Sequence, residues 1–206
     1  DKHKVLGITP EDIGNIAIQR GIPTILDYFT PEVSEKIKKE YGLAKVVTAT
    51  NAFAHIDNIN EVVESILNIL KDDGIFITES HYLLSLIQMN QFDSIYHEHL
   101  RHYSLHSLGH LLESHGLEII HAKQIPTHAG SIRVYAARKG KYPAEETVKK
   151  LLDTEKNTIL SREALLEFKR KTILAKLDLS ALLRDIKRKG ERVYGIGAPF
   201  RGTTLI

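Results

Sequence analysis

The stretch that decides the fold runs from Lys45-Val46-Val47-Thr48-Ala49-Thr50 to Ile75-Phe76-Ile77-Thr78. Its two ends are short runs rich in β-branched residues, which is typical of buried strands. Between them lies an apolar stripe at helical spacing, made of Val62, Val63, Ile66, Leu67, Ile69 and Leu70. Asp72-Asp73-Gly74 is a predicted turn into the second run. A strand, a helix and a strand with short links predict a parallel pair joined by a crossover helix.

The same alternation extends upstream. Val5–Ile8 and Thr24–Tyr28 are predicted strands, and a helix that opens near Pro10 separates them. Thr30 is placed to cap a helix that runs to Tyr41 and ends at Gly42. The first half of the chain is therefore predicted to form a doubly wound α/β sheet.

Downstream of residue 80 the pattern changes. Helices are predicted over 82–89 and, capped by Ser104, over 105–115. Leu117–Ala122 and Ile132–Ala137 are predicted to pair as antiparallel strands at the sheet edge. Residues 145–189 predict two charged helices broken near 157–161, and a strand over Arg192–Ile196 is expected to begin another α/β unit.

Composition narrows the class of protein. The 206 residues carry a formal charge of +2, too small to favour a nucleic acid or a membrane as partner. The absence of cysteine excludes disulfides and thiolate-bound metals within these residues and fits a reducing compartment, so the cytoplasm is the expected location. Asp1 is not a methionine and predicted strands lie close to both ends, so the chain is expected to be a piece of a longer protein.

Polar residues follow two of the predicted strands. Thr9 follows the first, and Asn51 and His55 follow the strand that ends at Thr50. Ligands of doubly wound sheets bind beyond the carboxyl ends of the strands. A carboxylate often binds a ribose there, whereas Thr9 offers one weaker hydrogen bond. Simple strand-to-helix turns are the alternative interpretation.

The segment Tyr96-His97-Glu98-His99-Leu100-Arg101-His102 is rich in histidine. Histidine is the usual general base near neutral pH, a carboxylate can orient it, and a tyrosine can donate to an oxyanion. A metal site and a run of surface histidines are the alternatives. Arg101 stands where the HExxH zinc motif requires its second histidine. Spacing alone leaves all three interpretations open.

Two further segments carry small and polar residues. In Pro126–Arg133, the side chains of His128, Ser131 and Arg133 offer donors suited to phosphate or sugar hydroxyls. The segment 195–204 has a glycine turn after a predicted strand, which can expose backbone N–H groups to phosphate. It lacks the lysine of a P-loop, because Thr203 stands at that position. A loop entering an edge strand is the alternative for the first segment.

Taken in this order, four motifs resemble the SAM-dependent nucleotide-sugar C-methyltransferases, which install a C-methyl branch on deoxysugars. The matching text is Asn51-Ala52-Phe53-Ala54-His55, Tyr96-His97-Glu98-His99 with Tyr103-Ser104, Pro126–Tyr135, and Gly195-Ile196-Gly197-Ala198-Pro199 with Gly202. The resemblance covers nearly the whole chain, and its two middle motifs are the most specific.

The resemblance implies three parts: a small zinc-binding N-terminal domain, a Rossmann-like methyltransferase core, and a C-terminal α/β domain that holds the nucleotide. Residues 1–140 correspond to a partial core, and residues 141–206 to a helical segment and the start of the C-terminal domain. The zinc cysteines and the glycine-rich SAM loop are absent from this chain. Zinc is thus expected only in the missing domain, and no metal is expected here.

The resemblance also implies a role for each site residue. S-adenosylmethionine is the expected cofactor, bound with help from Thr9 and Asn51. A nucleotide-linked 4-keto-deoxysugar is the expected substrate. The implied catalytic residues are His99 as the base at C3, Glu98 as its orienting partner, and Tyr96 and His55 at the enolate. The implied substrate-binding residues are His128, Ser131, Arg133, Gly195, Gly197 and Arg201.

The chain departs from the family pattern at three positions. The family usually has an acid at Thr9, lysine at Arg201 and asparagine at Thr203, so ribose and nucleotide contacts are expected to differ. Two other functions stay open at this point. One is a SAM-dependent methyltransferase that acts on oxygen or nitrogen, and the other is a nucleotide-sugar binding module without catalysis.

Overall fold

The computed structural model describes residues 3–197 and 201–205. Its main sheet has four strands in the order β3 (Ala44–Thr50), β4 (Leu70–His81), β6 (Ser131–Arg138) and β5 (Leu117–Ile125). A parallel pair, β1 (Gly7–Ile8) with β2 (Thr24–Ile25), forms a second, small sheet. The helices are α1 Ile13–Gln19, α2 Pro31–Tyr41, α3 Ile59–Ile69, α4 Leu83–Gln88, α5 Leu105–Ser114, α6 Glu146–Thr158, α7 Arg162–Arg188 and α8 Gly202–Leu205.

The predicted β3–α3–β4 crossover is confirmed. The strands pair in parallel, with Val46 opposite Ile75 and Thr50 opposite Glu79. The apolar face of α3 is buried against the sheet, with Val63 and Ile66 at its centre. The predicted turn at residues 72–74 is wrong, because β4 already begins at Leu70 and passes a register shift before the regular ladder starts.

The predicted antiparallel pair is also confirmed, and its place in the sheet is informative. Strand β6 lies between β4 and β5 and runs antiparallel to both. The carboxyl end of β4 therefore meets the amino end of β6, where His81 pairs with Ser131. The loop before β6 is thereby brought to the edge at which β3 and β4 end.

The predicted ends of α2, at Thr30 and Gly42, are confirmed. The Thr30 hydroxyl accepts from the Val33 N–H, and Gly42 ends the helix with a φ of 81°. The strands predicted near the two ends of the chain are shorter in the structure or irregular. Strands β1 and β2 are two residues long, because each pairs only with the other in the described part of the chain. Residues 191–197, predicted to include a strand, are irregular and pair with no described strand.

The predicted break between two charged helices is confirmed by the bounds of α6 and α7. Helix α7 buries none of its residues. No helix of the described residues is long and apolar enough to cross a membrane.

A buried carboxylate joins α6 to α5. The Glu155 side chain of α6 is 0 % exposed and accepts hydrogen bonds from the backbone N–H groups of Leu105 and His106. It also lies 2.6 Å from the His106 Nδ1. The first N–H groups of α5 have no partner within the helix, so Glu155 satisfies them and adds favourable charge at the positive end of the helix.

We expect Glu155→Ala to lower the free energy of unfolding by about 3 kcal/mol, because buried donors lose their acceptor. Chemical denaturation measures the change. Asp153→Ala removes an exposed carboxylate from the same helix and should change stability by less than about 0.5 kcal/mol. Equal losses in the two variants would contradict a structural role for Glu155.

Candidate active site

A pocket of about 350 Å³ opens at the carboxyl ends of β3 and β4. Its walls come from the loop after β3, the end of β4, the histidine segment, the turn before β6 and the segment at residue 201. The lining residues are Asn51, Ala54, His55, Ser80, His81, Tyr96, Glu98, His99, His128 and Arg201. Segments widely separated in the sequence thus supply one site.

His99 lies at the centre of this pocket, and its neighbours indicate its tautomer. The Nδ1 atom is 3.1 Å from the carbonyl oxygen of Ser94. Since a carbonyl only accepts, a neutral His99 carries its proton on Nδ1. The Nε2 atom, 3.3 Å from the Tyr96 hydroxyl, then bears the lone pair and accepts from that hydroxyl. His99 therefore presents a basic nitrogen beside a phenol.

Burial lowers the pKa of His99 below its ordinary value. The hydrogen bond to Ser94 opposes this shift, while His55 and Arg201 add to it through charge repulsion. A lowered pKa leaves the imidazole unprotonated at neutral pH, which is the form required of a general base.

The segment that carries His99 is fastened to the turn after β3. The His55 Nδ1 lies 2.8 Å from the Glu98 carbonyl oxygen, and the Leu100 N–H donates to the Ala54 carbonyl. The Arg101 guanidinium donates to the carbonyl oxygens of Ile56 and Asp57. These contacts hold the base in place before any ligand binds.

Glu98 is the residue expected to orient the imidazole of His99 or to share its proton. Its side chain is exposed, and the His99 Nδ1 lies against the Ser94 carbonyl oxygen instead. Glu98 still lines the pocket, and its charge raises the pKa of His99 in opposition to burial. Its contribution to the base is therefore electrostatic.

The predicted residues Asn51 and His128 both line the pocket and contact each other. The Asn51 Nδ2 lies 3.2 Å from the His128 Nε2. Both residues have left-handed backbone conformations, with φ of 53° and 51°. Asparagine and histidine adopt this region more often than most residues with a Cβ, although it is uncommon for both.

Ser131 and Arg133, predicted to bind substrate, have other partners. Ser131 is fully buried and its hydroxyl donates to the Thr127 carbonyl. The Arg133 guanidinium donates twice to the Glu79 carboxylate of the neighbouring strand. Neither residue lines the pocket. In this arrangement both support the turn that carries His128.

Of the predicted site residues near the two ends of the chain, Thr9, Gly195 and Gly197 do not line the pocket. Thr9 lies after β1, and its hydroxyl oxygen accepts from the Glu11 N–H at 3.2 Å. Gly195 and Gly197 are exposed in an irregular segment. Residues 198–200 of the same predicted motif lie outside the described residues.

Arg201 does reach the pocket. Its guanidinium lies 3.3 Å from the Asp93 carboxylate and contacts the Ser94 hydroxyl. A cation from the last part of the described chain is thereby fixed beside the residue whose carbonyl orients His99.

Sequence reasoning missed His81 and left His102 without a role, although the rings of both lie close to that of His99. His81 ends β4 and lines the pocket, and His102 stacks edge-on against His99 with ring centroids 5.5 Å apart. For His81, the signal was available in the polar run Thr78-Glu79-Ser80-His81 at the carboxyl end of a strand. Within the described residues, no three His, Asp or Glu side chains form a group that could hold a metal ion.

The comparisons with known proteins match both parts of the chain. A family model described as a methyltransferase domain matches residues 7–122, and one described as a C-methyltransferase C-terminal domain matches residues 126–206. C-methyltransferase NovU from Streptomyces niveus is 36% identical over 98% of this chain. The chain spans 49% of the length of that relative.

Solved structures show the same fold at low sequence identity. A S-adenosylmethionine-dependent methyltransferase from Clostridium acetobutylicum matches 67% of this chain and 76% of its own, with a TM-score of 0.50 and 13% identity. LepI in complex with SAM matches 68% of this chain and 37% of its own, with a TM-score of 0.52 and 11% identity. The predicted Rossmann-like methyltransferase fold is confirmed.

His102 generates a prediction about stability. Both ring nitrogens are buried without a hydrogen-bond partner in the described part of the chain, and burial, followed by His99, lowers the pKa of His102. The unfolded chain therefore binds a proton more readily, so stability falls as the pH drops below about 6.5. We expect His102→Leu to weaken this pH dependence. At pH 8 the free energy of unfolding should rise or stay within about 1 kcal/mol.

Urea denaturation between pH 8 and pH 5 measures the difference. His110→Leu, at an exposed position on α5, should retain the pH dependence of the unchanged protein. A large loss of stability for His102→Leu at pH 8 would mean that His102 has a polar partner after all.

Proposed function

Since this chain belongs to the family of C-methyltransferases that join a methyltransferase domain to a C-methyltransferase C-terminal domain, we propose that the protein methylates a sugar carbon. The donor in this proposal is S-adenosylmethionine, and the acceptor is a nucleotide-linked 4-keto-deoxysugar in the cytoplasm. The observation that carries the proposal is the unprotonated Nε2 of His99, placed beside the Tyr96 hydroxyl in the pocket.

A ketone acidifies the hydrogen on the neighbouring carbon, so a neutral imidazole can remove it. His99 Nε2 takes this proton from C3, and the Ser94 carbonyl stabilises the resulting imidazolium through Nδ1–H. The Tyr96 hydroxyl then turns from Nε2 to the sugar, and His55, whose ring centroid lies 5.1 Å from that of His99, helps to position the sugar. Asn51, His128 and Arg201 complete the polar lining.

The proposal assigns the cofactor to polar groups that follow two strands, Asn51 after β3 and Thr9 after β1 of the small sheet. The Asn51 amide donates to His128, which leaves its oxygen available to accept from the ligand. The Thr9 hydroxyl oxygen accepts from Glu11, which leaves its proton available to a ribose oxygen. S-adenosylmethionine, when bound, supplies an electrophilic methyl group. Removal of water from the pocket keeps the enolate available for that methyl group.

The domain division is part of the proposal. Residues 1–140 form the part of the methyltransferase core that ends with β6, and residues 141–206 begin the domain that holds the nucleotide. The ion pair of Arg201 with Asp93 supports the idea that the second part contributes to the pocket of the first. Gly195, Gly197, Ser131 and Arg133 remain predicted substrate-binding residues in this scheme, the last two acting through the turn that they support.

We expect His99→Asn to lower methyl transfer by at least about 1000-fold while S-adenosylmethionine binds with unchanged affinity, because the base is lost and the cofactor edge is intact. Activity is measured on a panel of thymidine-, uridine- and guanosine-diphosphate 4-keto-deoxysugars. In the unchanged protein, kcat/KM should fall as the pH is lowered through the pKa of His99, below 6.5, since protonation removes the base.

Solvent deuterium uptake at C3 separates this function from the alternatives. Only a route through an enolate exchanges that hydrogen, so methyl transfer to oxygen or nitrogen proceeds without it. A binding module would hold the nucleotide sugar with neither exchange nor transfer. Full activity of His99→Asn would reject the assignment of the base.

Thr9 offers a separate test of the cofactor edge. We expect Thr9→Asp to tighten the binding of S-adenosylmethionine by about tenfold, because a carboxylate forms stronger hydrogen bonds with ribose hydroxyls than a neutral hydroxyl does. Isothermal titration calorimetry measures the dissociation constant, with Thr9→Val as the matched variant that binds more weakly. Unchanged affinity in both variants would remove Thr9 from the cofactor site.

A further inference from the structure

His81 occupies the wall of the pocket between the base and the turn before β6. It is the last residue of β4, and its ring centroid lies 5.2 Å from that of His99 and 5.5 Å from that of His128. The ring meets both neighbours edge-on, at 77° and 72°. An acceptor that reaches His99 therefore passes directly beside His81.

The hydrogen bonding of His81 differs from that of the other pocket histidines. His55 is bonded to the Glu98 carbonyl, His99 to Ser94 and Tyr96, and His128 to Asn51. The His81 imidazole has no hydrogen-bond partner among the residues that the structure describes. A neutral imidazole has one donor and one acceptor. A partly buried ring that leaves both unused in the protein is free to use them on a ligand.

The electrostatics of the pocket keep His81 neutral. Burial lowers the pKa of His81 to about 4, and the charges of His99, His128, Arg201 and His102 act in the same direction. At neutral pH the ring therefore carries one N–H. A neutral imidazole of this kind can polarise a carbonyl group without supplying a full charge.

The Tyr96 hydroxyl does not remove the need for this donor. It lies 3.3 Å from the His99 Nε2, which is the atom that receives the proton. A ketone oxygen that gains negative charge needs a donor that is already in place when the proton leaves. His81 lies next to the base and has its N–H uncommitted.

We propose that His81 is a further catalytic residue, whose N–H donates a hydrogen bond to the ketone oxygen of the acceptor and stabilises the enolate. The assignment rests on the proposed function. The C3–H bond breaks and its proton goes to His99 Nε2, while the electron pair moves into the enolate and places charge on the oxygen. The new C–CH3 bond forms as the carbon–sulfur bond of the sulfonium breaks, and the ketone returns. His81 keeps its proton throughout, and His99 releases its proton to solvent.

The test compares variants of the intact protein that keep or remove the donor. His81→Leu and His81→Phe remove it, and the latter retains a ring of similar shape. His81→Gln keeps an N–H donor. His110→Gln, on the exposed face of α5, is the control. The readouts are kcat and KM for methyl transfer, and deuterium uptake at C3 of the 4-keto-sugar with S-adenosylhomocysteine in place of the methyl donor.

We expect both donor-free variants to lower kcat and the exchange rate by about 100-fold, with KM for the sugar changed less than about threefold. His81→Gln should recover about tenfold of that loss, and His110→Gln should match the unchanged protein. The acid limb of the pH profile should stay in place in every variant, because that limb reports His99.

Three results would overturn the assignment of His81. Exchange and transfer at the normal rate in a folded donor-free variant would exclude the hydrogen bond. Equal losses in His81→Gln and His81→Phe, with a raised KM, would point to packing. If the unchanged protein neither exchanges nor methylates any sugar of the panel, the proposed function fails and the His81 assignment fails with it. Activity in the unchanged protein makes the first two results specific to His81.

Discussion

The pairing of β4 with β3 on one side and β6 on the other is the constraint on which the site depends. Parallel pairing with β3 brings Asn51 and His81 to one edge, and antiparallel pairing with β6 brings the His128 turn to the same edge. A slip of one residue in either ladder would turn every side chain of the shifted strand to the opposite face. The buried ladder therefore fixes which polar groups meet, although these groups lie far apart in the sequence.

Crowding imidazoles at this edge has an electrostatic consequence. Burial together with nearby positive charge lowers the pKa of His81 and of His99, so the pocket favours neutral rings. A lowered pKa secures the unprotonated base but makes it a weaker proton acceptor. Such a base requires an acidic carbon, and a donor at the ketone oxygen increases that acidity. The lowered pKa of His99 thus keeps the base unprotonated, and the lowered pKa of His81 keeps the proposed N–H donor neutral.

Sequence reasoning predicted the features that depend on residues close together in the sequence. It missed features that depend on how distant segments meet. The α3 stripe, the Thr30 cap and the break before α7 are local signals, and the structure confirms them. The tautomer of His99 depends on the Ser94 carbonyl, five residues away in a loop without periodicity, so the sequence favoured Glu98 instead. His81 was missed because a polar residue at the end of a strand becomes informative only when the neighbouring strands are known.

The left-handed turn before β6 shows how the site holds its geometry. His128 and Ala129 have φ of 51° and 59°, which costs energy for residues with a Cβ. Three bonds oppose relaxation: Thr127 Oγ1–H to the buried Glu79 carboxylate, the Tyr82 N–H to the Gly130 carbonyl, and the Gln91 amide to the Ala129 carbonyl.

Two of these bonds are anchored on β4 or directly after it, at Glu79 and Tyr82, in the part of the chain that also carries His81. The strain in the turn and the position of His81 are therefore set by the same strand, and a ligand held by His128 meets His81 at a fixed separation. Because that separation is built into the folded state, no ordering cost is added when the proton leaves the acceptor. A polar pocket assembled in this way is suited to stabilising a charge that exists only briefly.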